Sequence, residues 1–270
     1  MPNEPKMESR SGIITLLTDF GLADNFVGVM KGVIASLAPQ ARVVDVTHGI
    51  GPQQVKQGRW VLGQSWRWFP KGTVHVAVVD PGVGSERRAI AVQAQGHFFV
   101  GPDNGLLSDA VGSSGAKVRE ITNRTWMLKE ISATFHGRDV FAPAAARLAS
   151  GARFALAGKL VNNAAWLGAG GPTRTGKRFW VGEVVHIDRF GNLITNLTSG
   201  AIPDLESRPA IFRAGFGDVA GLSPHYGAGR PGEVIALIGS HGGVELAVNG
   251  GSAARVLGLA MGAPVEVEIL

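Results

Sequence analysis

Apolar residues in the first part of the chain alternate between two spacings, and each change of spacing marks an element. Ile13, Ile14, Leu16 and Leu17 crowd a β-rich run over residues 13–20, which predicts a strand ending near Asp19. Phe26, Val29, Met30, Val33, Ile34 and Leu37 then recur at helical spacing, with Asp24 or Asn25 placed to cap the first turn. A second strand is expected over residues 41–47, and Pro52 opens a second helix with Val55, Leu62, Trp66 and Phe69 on one face. Residues 73–80 give a third strand. Strand, helix, strand, helix, strand predicts a parallel sheet with covering helices. Ligands of such sheets gather at the carboxyl ends of the strands, where Asp19, Asp45 and Asp80 all fall.

Further on, residues 89–94 and 98–100 read as paired strands with Q-G-H between them. Val140, Phe141, Ala144 and Leu148 mark one face of a helix within 134–151, stopped by Gly151, and His136 lies in the loop before it. The Gly-rich stretch 167–177 reads as a linker. After it the signal is almost all strand, at 181–187, 193–197, 210–213, 234–238, 244–248 and 264–269, which predicts a small barrel or sandwich. The expected organisation is a flexible tail (1–11), an α/β domain (12–166), a linker (167–178) and a smaller β domain (179–270).

Composition narrows the function classes. With 45% hydrophobic and 17% charged residues in 270, the chain has material for a real core. It has no cysteine, which excludes disulfides, thiolate metal sites and cysteine nucleophiles. No apolar run approaches the ~18 residues of a membrane span, and the polar first residues lack the form of a signal peptide. A soluble, cytoplasmic protein with no membrane partner is expected. The net charge of +5 is scattered, without a basic run or a nucleic-acid-binding signature, so no nucleic-acid partner is expected. There is no dinucleotide fingerprint, Walker sequence, G-x-S-x-G elbow or His-Glu-x-x-His pair, and neither metal nor cofactor is expected.

The densest candidate chemistry lies in V-V-D-P-G-V-G-S-E-R-R. A buried-looking strand delivers Asp80 into a tight loop forced by Pro81, Gly82 and Gly84, and Arg87 and Arg88 follow. Read alone, these residues fit a solvated turn as well as a presented carboxylate, and Arg88 in particular reads as solvated. His136 alone fits a surface or capping residue, and F-G-N-L-I-T-N alone fits a hairpin turn.

Together the blocks say more. L-L-T-D-F-G-L-A-D-N-F-V-G, V-V-D-V-T-H-G-I, V-V-D-P-G-V-G-S-E-R-R, G-P-D-N-G, T-F-H-G-R-D, I-D-R-F-G-N-L-I-T-N and I-G-S-H-G-G-V-E-L-A-V-N-G-G-S-A-A stand in one order across nearly the whole chain. In that order they resemble the adenosine-forming S-adenosyl-L-methionine hydrolases, relatives of the fluorinase and chlorinase enzymes. The resemblance implies an N-terminal α/β domain and a C-terminal β-barrel. It also implies a homotrimer with the site between subunits, and hydrolysis of S-adenosyl-L-methionine to adenosine and L-methionine without a cofactor. Asp80, Arg87 and His136 match the catalytic triad of the hydrolases; the halogenating relatives depart from it and carry an inserted loop. The alternatives are a halide-using adenosyl transferase of the same family, or a non-catalytic protein that binds adenosine or S-adenosyl-L-methionine. The resemblance also implies substrate contacts. Asp19 matches the acid on the ribose hydroxyls, Asp188 the acid on the methionine ammonium, and Ser240 a methionine-carboxylate contact, beside which His241 replaces an arginine of the halogenases. Asn192, Val248, Asn249 and Gly250 match adenine contacts. Asp24, Gln53, Phe135 and Phe190 match pocket-lining positions.

Overall fold

The computed structural model describes residues 10–168 and 170–270. The chain divides into two compact units, 1–168 and 169–270.

In the first unit β1 (Ile13–Thr18), α1 (Phe26–Leu37), β2 (Arg42–Thr47), α2 (Val55–Ser65) and β3 (Val74–Val78) alternate as the hydrophobic spacing predicts. β4 (Ala89–Ala94), β5 (His97–Pro102), α3 (Ser108–Val111), β6 (Lys117–Glu120) and α4 (Ala142–Ala149) follow. The sheet order is β2-β1-β3-β5-β4-β6, parallel through β2, β1, β3 and β5 and antiparallel at β4 and β6. Side chains alternate across it with the period of a strand. Val74, Val76 and Val78 of β3 pack with Met30 and Ile34 of α1 and Leu148 of α4. Ala77 and Val79 face Leu62 of α2, Trp66 and Leu106 on the other side. Chain connections leave β1 and β3 in opposite directions, which opens a crevice at their carboxyl ends. Asp19 and Asp80 lie there.

The second unit is antiparallel throughout. β7 (Thr173–Arg174), β8 (Phe179–Ile187), β9 (Leu193–Thr198), β10 (Ala210–Ala214), β11 (Gly217–Ala220), β12 (Val234–Ile238), β13 (Gly243–Val248), α5 (Ala253–Leu257) and β14 (Pro264–Ile269) make it up. The order β11-β10-β14-β8-β9-β13-β12 gives a nearly closed barrel, because β11 and β12 at its ends lie against each other without a ladder. The long strand β8 forms the corner: residues 179–183 pair with β14 and residues 184–187 with β9, with an irregularity between Val184 and His186 inside the second ladder. Phe212, Leu193, Leu246, Val265 and Val267 fill the interior.

Several boundaries differ from the expected ones. The first nine residues of the expected tail lie outside the described residues, but Arg10 and Ser11 are anchored: Arg10 Nε donates to the Leu148 carbonyl at 2.8 Å, and Ser11 Oγ is 3.0 Å from Thr73 Oγ1. α2 begins at Val55, so Pro52 stands in the preceding turn, and Trp66 continues into one turn of 3₁₀ helix before Phe69. Asn25 occupies the N-cap of α1 without a side-chain cap bond, and Asp24 lies exposed ahead of it. β7 lies within the Gly-rich stretch and pairs with β8. The short β6, β11 and α5 have too few periodic residues to announce themselves.

Candidate active site

β3 runs straight into the candidate triad. Its last buried residues deliver Asp80, and two successive turns fold the loop back: Val83 N–H donates to the Asp80 carbonyl at 3.2 Å and Ser85 N–H to the Gly82 carbonyl at 3.1 Å. Ser85 Oγ then accepts from Arg87 N–H at 3.3 Å. Gly84 has φ of +77°, and a Cβ there would lie 2.2 Å from the Ala133 carbonyl oxygen. Only glycine lets this loop approach the segment that carries His136 so closely.

The doubled-back loop places Arg87 on Asp80. Arg87 Nε lies 3.0 Å from both carboxylate oxygens and Nη2 also donates to Oδ2, while the side chains are 10% and 5% exposed. Arg87 Nη2 also lies 2.7 Å from His136 Nδ1. A guanidinium only donates, so Nδ1 is the acceptor and the neutral ring carries its proton on Nε2. Burial, and then the Arg87 charge, push the His136 pKa below the ordinary imidazole value against the opposing pull of Asp80 and Asp139. His136 itself caps a single π-type turn, Gly137–Phe141, that leads into α4. The Arg87 guanidinium lies 5.4 Å from the centre of the Phe141 ring.

At the end of β1, Asp19 Oδ2 accepts the N–H of Gln53 at 2.8 Å, and Gln53 is held at a φ of 64°. Such a conformation is costly for a side-chain-bearing residue. The backbone beside Asp19 is tied as well: Gly21 N–H donates to the His48 carbonyl at 2.8 Å, and Thr18 Oγ1 lies 2.8 Å from His48 Nδ1. His48 Nε2 is 3.1 Å from Asp45, which also holds Lys31 at 2.6 Å. Burial pushes the Asp45 pKa up, but Lys31 and His48 together hold it below the usual carboxylate value. Phe135 meets Phe20 and Phe26 edge-on, with ring centres 6.1 and 5.2 Å away.

The second unit gathers another set. Asp188 Oδ1 accepts the N–H groups of Phe190 and Asn192, and Oδ2 accepts the Asn192 amide, all at 2.9 Å. One carboxylate thus holds the whole D-R-F-G-N turn and leaves Phe190 76% exposed at its tip. Asn249 Nδ2 donates to the Gly229 carbonyl at 2.8 Å, and Val248 bridges to Gly251 around Gly250 at φ of 75°. Ser240 is exposed, and the ring of His241 covers Gly239 beside Glu245 Oε2. Burial lowers the His241 pKa, against a backbone hydrogen bond with Thr195.

Sequence reasoning passed over Glu245 and Tyr226. Glu245 is buried on β13, and its Oε1 accepts the Tyr226 hydroxyl at 2.8 Å. Burial raises the Glu245 pKa, and Asp188 raises it further; the Tyr226 hydroxyl opposes them. Burial and Glu245 push Tyr226 up to about 12. The available signal was a charged residue inside an apolar strand, V-E-L-A-V, and the single tyrosine of the chain. Arg88 also differs from its reading as a solvated residue: its Nε donates to Asp103 at 2.7 Å and its Nη atoms grip Asn163. Among the described residues no cluster of three or more histidines and acids is placed to hold a metal ion, and no helix is long and apolar enough to cross a membrane.

This fold and these blocks define a family. The models of the SAM hydroxide adenosyltransferase N-terminal and C-terminal domains match residues 14–158 and 182–266, and the chain belongs to that family. Among its relatives, a protein of Salinispora tropica named (R)-S-adenosyl-L-methionine hydrolase is 44% identical over 94% of this chain and 97% of its own. The hydrolase of the same name from Thermus thermophilus is 37% identical over 94% of this chain and 98% of its own. A fluorinase of Nocardia brasiliensis is more distant, at 26% identity over 96% of this chain and 98% of its own. Among solved structures, an uncharacterized conserved protein from Thermotoga maritima superposes with a TM-score of 0.87 at 35% identity, covering 94% of this chain and 99% of that one.

Proposed function

We propose that this protein hydrolyses (R)-S-adenosyl-L-methionine to adenosine and L-methionine, with Asp80, Arg87 and His136 activating the water. The observation that carries the reading is the one guanidinium that meets both the Asp80 carboxylate and His136 Nδ1. Attack on the ribose C5′ forms a carbon–oxygen bond as the carbon–sulfur bond breaks, and the bonding pair leaves with sulfur as a neutral thioether. The leaving group needs no acid. What the reaction needs is a partner for the water's proton, and general bases typically supply ~10²–10⁴-fold.

The His136 tautomer supports giving that part to Asp80. With Nδ1 accepting from Arg87, Nε2–H is a donor suited to holding a water oxygen. Taking the proton on the ring would require Nδ1 to turn from acceptor to donor against a guanidinium 2.7 Å away. Asp80 is therefore the base, and Arg87 orients its carboxylate. The charge accounting agrees: the sulfonium loses its positive charge as Asp80 loses its negative one, so no net charge has to develop in the site.

The same reading gives the remaining residues their parts. Asp19 keeps Oδ1 for the ribose hydroxyls while Gln53 fixes Oδ2. Asp188 and Asn192 stand for the methionine ammonium and the adenine, Ser240 and His241 for the carboxylate, and Val248 to Gly250 for the adenine edge. Asp24, Phe135 and Phe190 complete the lining. A cytoplasmic homotrimer, with each site shared between subunits, belongs to the same proposal and is checked by light scattering of the purified protein. Incubation with S-adenosyl-L-methionine and chromatography for adenosine tests the reaction. Adenosine formed without halide supports it; a halogenated nucleoside, or binding without any product, overturns it.

A further inference from the structure

The G-P-D-N-G turn has no part in the mechanism above, yet the fold puts it between the two strand ends that carry Asp80 and Arg87. β5 lies between β3 and β4, and its last residue, Pro102, pairs with Ala89. The two residues that follow it therefore stand beside Val79, which precedes Asp80, and beside Arg88, which follows Arg87. Each makes use of that place. Asn104 Nδ2 donates to the Val79 carbonyl at 2.8 Å, and its Oδ1 accepts Leu106 N–H at 3.1 Å. Asp103 N–H donates to the Arg88 carbonyl at 2.9 Å, and its Oδ2 accepts Arg88 Nε at 2.7 Å. Asp103 Oδ1 accepts Ala165 N–H at 2.7 Å, and the carboxylate is only 3% exposed.

From this geometry we infer that Asp103 and Asn104 are positioning residues for the Asp80–Arg87 pair, an inference that rests on the hydrolase reading. Between the two anchors, residues 80–87 form a loop closed by its own turns. Its outer ends are fixed by adjacent residues of one turn, so the separation of residues 79 and 88 is set by a single rigid piece of backbone. That separation matters because Arg87 Nη2 has to reach Asp80 Oδ2 and His136 Nδ1 together. A few tenths of an ångström at either anchor would break one contact to keep the other. Arg88 extends the clamp outward, with Nη1 on Asn163 Oδ1 at 2.8 Å and Nη2 on the Asn163 carbonyl at 2.7 Å. Neither Asp103 nor Asn104 is required to touch substrate.

The test is kinetic, on the full chain. Asn104→Asp removes the donor facing Val79 and keeps the acceptor for Leu106; Asp103→Asn weakens the grip on Arg88 and keeps the acceptor for Ala165. Each is expected to lower kcat by about 10–10²-fold, the scale of a small misplacement of reacting groups, with KM within about threefold of wild type. In an Arg87→Lys background, where the pair is already loosened, Asp103→Asn should cost less than about twofold more, because the two changes act through one contact. If Asp103→Asn does not fold, Arg88→Lys keeps the charge on Asp103 while releasing Asn163, and an intermediate loss of about 3–10-fold in kcat is expected. Folded variants with wild-type kcat, or the same loss in both backgrounds, overturn the inference. Failure of the wild-type chain to release adenosine would instead overturn the hydrolase reading on which it rests.

Discussion

At the scale of single residues, Arg87 decides how the proposed triad divides its labour. A side chain that can only donate meets a carboxylate and an imidazole nitrogen, and this forces one into the role of acceptor for charge and the other into a fixed tautomer. On the proposed mechanism, Asp80→Asn keeps the shape but loses the base. It is expected to bind S-adenosyl-L-methionine near wild-type affinity by calorimetry and to turn it over ~10²–10⁴-fold more slowly. On the same mechanism His136 sets the acid limb of the pH profile. Its pKa is lowered by burial and by Arg87, so the working neutral form persists through the ordinary imidazole range. Turnover should therefore stay level as pH falls past that range, then drop when protonated Nδ1 can no longer accept from Arg87. A profile that falls at the ordinary imidazole value would contradict this state of His136.

Elements bring those residues to one place by close approach of backbone. The loop after β3 reaches the segment before α4 only because Gly84 takes a φ of +77° with nothing between its Cα and the Ala133 carbonyl. Gly84→Ala imposes both a disfavoured conformation and a contact with backbone. It should lower stability by about 1–3 kcal/mol, read as a fall in thermal midpoint, and should impair turnover because His136 rides on the displaced segment. In the second unit β8 passes from β14 at residues 179–183 to β9 at residues 184–187, so that one strand serves both neighbours.

Across the whole molecule, the sheet of the first unit separates chemistry from stability. Asp19 and Asp80 follow the carboxyl ends of β1 and β3, whereas His75 and His97 are buried near the amino ends of β3 and β5. Thr15 Oγ1 lies 2.8 Å from His75 Nδ1, and His75 Nε2 lies 3.1 Å from His97 Nδ1. Burial, and then His97, lower the His75 pKa from 6.5 to about 3. A histidine with a depressed folded pKa contributes stability that is complete above its unfolded value and is lost as pH falls from there toward the folded one. The free energy of unfolding should therefore decline in acid, by up to about 1.4 kcal/mol per pH unit below the unfolded value from this group. His75→Gln should flatten that decline, and an equal slope in both proteins would remove His75 as its source. The chain's own sequence determined the alternation of strands and helices in the first unit, the run of short strands in the second, and the tight Pro-Gly loop that follows Asp80. Those depend on periodicity and on residues a few positions apart, which the order of residues records directly. Only the tertiary structure decided that Arg88 clamps Asp103 instead of meeting solvent, that Glu245 finds Tyr226, and that His136 turns Nδ1 toward Arg87. These pairings join residues distant in sequence, and they follow from strand order and side-chain packing, which no local pattern encodes.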